Sequence, residues 1–163
     1  MTDQASILAV DEPSESLALL VTILTTAGYG VRPADSGELA LAAVAAHPPD
    51  LILLDIHMPG MDGLEVCRRL KAQEETRHIP IIFLSAEDDR AQTVAGLQLG
   101  AADYITKPFR IDELLVRVKT HLDLSRANIL LQQQAETLGN ANERLQSEIL
   151  ERQRMEEELR ALS

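Results

Sequence analysis

The stretch Leu51-Ile52-Leu53-Leu54-Asp55 decides how the rest of the chain is read. Four apolar residues follow one another without a polar interruption, so a strand built from them is buried on both faces. Strands of that kind belong to parallel sheets with helices packed on either side. A carboxylate then stands at the C-terminal end of the strand. Ile79–Leu84 repeats the apolar pattern downstream, and Ile7–Val10 does so upstream.

Between these runs the apolar spacing becomes helical. Ser16–Ala27 places Leu17, Leu20, Val21 and Leu24 on one face, the spacing of an amphipathic helix, and Gly28 closes it. Val31–Ala34 is a weaker strand, and its Pro33 suits a sheet edge. Ser36 is an N-cap candidate for a helix over Gly37–Ala46, which Pro48-Pro49 stops. Helices are predicted over Gly63–Ala72 and Arg90–Leu99, the second ended by Gly100, with a short strand over Asp103–Ile105. Asp112 is the expected cap of a final helix. Five βα units in 1–122 make a doubly wound α/β sheet.

The final helix has no stop signal where a compact domain would end. From Asp112 to Leu162 there is no Pro and one Gly, Gly139. Roughly 50 residues at a 1.5 Å rise give a rod of about 75 Å. Leu124, Leu131, Leu138 and Leu145 recur every seven residues, with Ala135 and Ile149 among the companion positions. That is the seam of a coiled coil. Arg152 takes the next leucine place, and Met155, Leu159 and Leu162 resume on a shifted frame, like a stutter. A solitary helix of this kind is marginal in water, so the seam predicts a partner copy in a parallel dimer. The expected division is 1–122 and 123–163.

Composition removes several function classes. The net charge is −11, from 15 basic and 26 acidic residues. It divides into −8 for 1–122 (10 basic, 18 acidic) and −3 for 123–163 (5 basic, 8 acidic). Neither part offers the basic surface on which nucleic-acid affinity rests. Tyr29, Phe83, Tyr104 and Phe109 are too few for base stacking, so no nucleic-acid partner is expected. The single Cys67 excludes a disulfide within the chain, and no Cys/His cluster suggests zinc. The opening Met-Thr-Asp-Gln-Ala-Ser lacks the positive charge of a signal peptide. No apolar run is long enough for a membrane helix. A cytoplasmic protein without a membrane partner is expected.

Ligands of open α/β sheets sit at the carboxyl ends of the strands, near the switch point of strand order. Asp11 and Glu12 follow the first strand, Asp55 the third, Ser85 the fourth and Lys107 the fifth. Each alone could be a helix cap or a solvated charge; together they are forced to one edge. Three carboxylates there repel unless cations intervene. Lys107 supplies one positive charge, and a hard cation such as Mg²⁺ suits the carboxylate oxygens. Such a site can receive a phosphoryl group, with Asp55 as oxygen nucleophile and Lys107 and Ser85 as donors. A permanent Mg²⁺ site without transfer would use the same residues.

These segments resemble the receiver domain of two-component response regulators. The resemblance rests on Ile-Leu-Ala-Val-Asp-Glu at 7–12 and Leu-Ile-Leu-Leu-Asp-Ile-His-Met-Pro-Gly-Met-Asp-Gly at 51–63. It continues through Ile-Pro-Ile-Ile-Phe-Leu-Ser-Ala at 79–86 and Gly-Ala-Ala-Asp-Tyr-Ile-Thr-Lys-Pro-Phe at 100–109. It implies a flavodoxin-like five-stranded sheet in the order 2-1-3-4-5 and a phosphoacceptor at Asp55. Asp11, Glu12, Asp55 and the His57 backbone carbonyl are the implied Mg²⁺ ligands. Ser85 and Tyr104 are the implied switch pair, Lys107 the phosphoryl partner, and Lys107–Pro108 a cis bond. Glu12 departs from the family's usual Asp, so its contact with the metal is either direct and reshaped or through water.

The resemblance implies a donor, either a histidine kinase or a phosphotransfer protein. It implies self-promoted phosphorylation and dephosphorylation rather than conventional enzyme activity. Residues 145–160 resemble helical linkers leading into sensor, kinase or cyclase modules, which points to a further module after Ser163. The competing expectation is a phosphorylation-independent receiver that serves as a dimeric scaffold or docking module.

Overall fold

A computed structural model of the chain describes residues 4–162. The readings made on the opening Met1–Asp3 and on Ser163 lie outside the described residues. Five strands, β1 (Ser6–Val10), β2 (Gly30–Ala34), β3 (Leu51–Asp55), β4 (Ile81–Ala86) and β5 (Asp103–Lys107), form one sheet in the order β2-β1-β3-β4-β5. Every neighbouring pair is parallel. Between them lie α1 (Glu15–Thr26), α2 (Gly37–Ala46), α3 (Gly63–Ala72) and α4 (Arg90–Gln98), and α5 spans Ile111–Leu162. This is the flavodoxin-like doubly wound architecture with a long C-terminal helix.

Period-two alternation along the central strands builds a core on each face. Ile52 and Leu54 of β3 pack with Ala40 and Val44 of α2 and with Val66 and Leu70 of α3. Leu51 and Leu53 pack the other way, with Leu20 and Leu24 of α1 and Leu114, Val118 and Leu122 of α5. All five residues of β3 are buried, because helices cover both of its sides. Pro33 lies in β2, the edge strand, where a missing N–H leaves no ladder bond unmade.

Local chemistry starts the helices. Ser14, Ser36 and Asp62 accept hydrogen bonds from the amides of Leu17, Leu39 and Glu65, at 3.4, 3.2 and 2.9 Å. Each bond satisfies one of the unpaired amides at a helix start. Asp112 does not cap α5. The helix begins one residue earlier, at Ile111, and the Asp112 carboxylate accepts from the next amide, Glu113.

Strand ends also differ from the sequence expectation. β4 and β5 run on to Ala86 and Lys107, so Ser85 and Lys107 lie inside strands rather than after them. The ladder pairs Ser85 with Thr106 and Ala86 with Lys107, and pairing with a neighbour carries a strand past its apolar run.

The chain divides into two compact units, Met1–Ser125 and Arg126–Ser163. Leu122 is the last buried side chain of α5. In the second unit Leu131, Leu138, Leu145 and Ile149 are each more than half exposed. Among the described residues no helix is long and apolar enough to cross a membrane.

Candidate functional site

Register brings the charged groups together. Val10 pairs with Leu54, so the next residues on the two strands, Asp11 and Asp55, emerge side by side where the strand order reverses between β1 and β3. Both are buried, at 2% and 8% exposure. From β5, the Lys107 ammonium reaches the Asp11 carboxylate at 2.8 Å and that of Asp55 at 3.4 Å. One cation thus serves two buried carboxyl groups. Burial and a hydrogen bond with the Asp11 side chain push the Asp55 carboxyl up to about 7, against the pull of Lys107. The His57 amide donates to Asp55 at 3.3 Å. Ser85 is buried at 2% exposure on β4, and Tyr104 on β5 is 40% exposed.

Glu12 stands apart from this group. It is exposed, and its amide donates to the Asp11 carboxylate at 2.8 Å. Among the described residues no three His, Cys, Asp or Glu side chains are gathered closely enough to hold an ion. The cluster of three carboxylates expected from the sequence is therefore a buried pair beside a lysine.

The His57 imidazole is largely exposed and meets Asp89. Its Nε2 lies 2.5 Å from an Asp89 carboxylate oxygen just before α4. Asp89 holds the N-cap position of α4 and makes no side-chain capping bond there. The Lys107–Pro108 peptide is cis.

Sequence reasoning passed over Gly63. A Cβ at this position would lie 2.2 Å from the Asp55 carbonyl oxygen, and the Gly63 amide donates to the Ile56 carbonyl at 2.8 Å. The only sequence signal was its place in the motif Asp62-Gly63. The return of α3 against the acceptor strand is what demands glycine there.

Two buried carboxylates thus share one lysine at the carboxyl ends of β1, β3 and β5, with Ser85 buried on β4 between β3 and β5. Residues 7–119 match the family model of the response regulator receiver domain. The chain belongs to that family. Relatives of the receiver include "Response regulator PleD" of Caulobacter vibrioides, 46% identical over 116 residues, which cover 71% of this chain and 26% of that protein. A "Probable cyclic di-GMP phosphodiesterase" of Vibrio cholerae is 39% identical over 149 residues, 91% of this chain and 32% of its own. The second match is longer than the receiver and runs on into the tail. The receiver domain of NtrX from Brucella abortus superimposes with a TM-score of 0.68 at 32% identity, covering 72% of this chain and 98% of that one. The chain spans about a quarter to a third of the length of these curated relatives. Residues 7–119 are thus the receiver domain of a two-component response regulator.

Proposed function

We propose that Asp55 accepts a phosphoryl group from a histidine kinase or a phosphotransfer protein, and that the modification resets the surface around Tyr104. The single observation carrying this reading is the buried Asp11–Asp55 pair under one lysine. An Asp55 oxygen attacks phosphorus in line; the new P–O bond forms as the P–N bond to the donor imidazole breaks. The electron pair returns to that imidazole. Lys107 donates to an outer phosphoryl oxygen, and the Ser85 hydroxyl moves toward another while the Tyr104 ring turns inward behind it. The chain is then a phosphoacceptor that promotes its own phosphorylation and dephosphorylation, not a conventional enzyme.

The donor set fits Mg²⁺. Two adjacent carboxylates offer hard oxygens, and burial together with the neighbouring Asp11 raises the Asp55 carboxyl, which a bound cation would offset. Asp11, Asp55 and the His57 carbonyl would hold the ion, with Glu12 joined through a water. When bound, Mg²⁺ neutralises charge on the transferring group.

Output runs through the tail on this reading. Residues 1–122 are the receiver and 123–163 a helical extension that pairs with a second copy as a parallel coiled coil. A further module after Ser163 is supported by the greater length of the relatives. The acidic balance argues against nucleic acid as partner, and the setting is cytoplasmic and free of membrane.

Incubation with a small phosphodonor and Mg²⁺, read by intact mass, tests the acceptor. The native chain should gain one phosphoryl group, and Asp55→Asn or added chelator should abolish the gain. An unmodified native chain overturns the proposal. Equal beryllofluoride responses of native and Asp55→Asn proteins would instead favour the phosphorylation-independent scaffold.

A further inference from the structure

We infer that Asn128 and Asn142 fix how two copies of this chain align, allowing only a parallel, in-register pair. The inference rests on the proposed dimer and adds what sets its direction and register. Within the second unit, Leu131, Leu138 and Leu145 stand seven residues apart and are all exposed. Asn128, Ala135, Asn142 and Ile149 interleave with them at alternating steps of three and four. In a heptad the leucines are d positions and the interleaved residues a positions. Two of these four a positions therefore carry a carboxamide.

A carboxamide sealed in a coiled-coil core needs a partner, because a buried donor or acceptor left unpaired is costly. The nearest suitable group is the same carboxamide on a second copy. In a parallel, in-register pair, Asn128 meets Asn128 and Asn142 meets Asn142. A slip of one heptad sets Asn128 of one copy against Ala135 of the other, and no asparagine finds another. An antiparallel pair sets a layers among d layers, so the asparagines face leucine. Only the parallel, in-register arrangement satisfies both.

The flanks of the seam favour a second copy over a partner of opposite charge. Gln132, Gln134, Gly139, Ala141 and Gln146 fall at e and g positions and carry no charge, and the one acidic flanking residue, Glu148 at g, faces the neutral Gln153 at e of the other copy. Glu136, Glu143 and Glu151 fall on the outer face. Two acidic tails can therefore meet without like charges opposed across the seam. Arg152 occupies the next leucine layer and closes the matched stretch. Two polar layers within about three heptads make a weak association, one that depends on correct alignment.

Disulfide trapping in the full-length chain tests the inference. Cys67 is buried, so the native chain is the control. With oxidised glutathione, Leu138→Cys should give a covalent dimer. A mixture of Leu131→Cys and Leu138→Cys chains should give little mixed disulfide. Adding Asn128→Val and Asn142→Val to both chains should raise the mixed species several-fold and tighten association by about tenfold. Spin labels on Ser147→Cys, away from the seam, read register without removing a leucine. One narrow distance is expected in the native background and a broadened set with both valines. If the native chain sediments as a monomer at its highest soluble concentration, the dimer reading fails and the inference with it. If it dimerises but register is unchanged by the valines, or is mixed from the start, the inference alone fails.

Discussion

Asp55 is held between one rival and one cation. Its raised pKa means that the folded protein binds this proton more tightly than the unfolded chain does. Stability of the metal-free protein should therefore fall as pH rises through about 7, and be recovered below it toward the ordinary carboxylate range. Asp55→Asn removes the ionisable group and keeps the shape. In chelator at pH 8 it should be more stable than the native chain by about 1–3 kcal/mol, with the gap closing by pH 5. Urea denaturation at the two pH values measures this; a variant less stable at pH 8 would contradict the repulsive pair. Gly63 acts on the same residue through the backbone. The added methyl of Gly63→Ala needs the space of the Asp55 carbonyl. A loss of about 2–4 kcal/mol is expected, together with slower phosphorylation at temperatures where the variant is folded. Asp11, Asp55 and Lys107 were legible as residue types at strand ends. Glu12's separation and Gly63's contact were not, because they depend on how the chain turns after leaving a strand.

At the scale of elements, β5 is tied to α5 by a polar cluster next to Tyr104. The Asp103 carboxylate accepts from Arg117 at 2.8 Å through both oxygens and contacts His121 at 3.0 Å. Burial alone would raise the Asp103 pKa, but the His121 bond, the Tyr104 amide and Arg117 together hold it below the usual value. The depressed pKa contributes stability above the ordinary carboxylate range, and that contribution disappears as pH falls through the folded value. Asp103→Asn should cost about 1 kcal/mol at pH 7, discounted for the half-exposed Arg117. The cost should vanish in acid, as thermal unfolding across pH would record. A loss that persists unchanged at pH 3 would point to packing instead. The sequence placed Asp103 only as the start of a strand. Its partners lie 14 and 18 residues on, and no local pattern joins them before the helix packs.

For the whole molecule, the receiver's core is complete once Leu122 is in place. A chain ending at Ser125 should fold, and its urea midpoint should match that of the receiver transition in the full-length protein. The helical signal of the full chain should carry a second, concentration-dependent component that the shorter chain lacks. Circular dichroism at several protein concentrations tests both points; a shorter chain that fails to fold would place part of the core in the tail. The sequence by itself determined the order of strands and helices, the doubly wound class and the edge on which the carboxylates gather. Those features follow from apolar periodicity and from chain connectivity, both local properties. Tertiary structure alone decided which carboxylates share Lys107, why Asp55 is the one pushed toward neutrality, and where glycine is obligatory. Those outcomes depend on strand register and burial, which bring groups up to 96 residues apart within hydrogen-bonding distance.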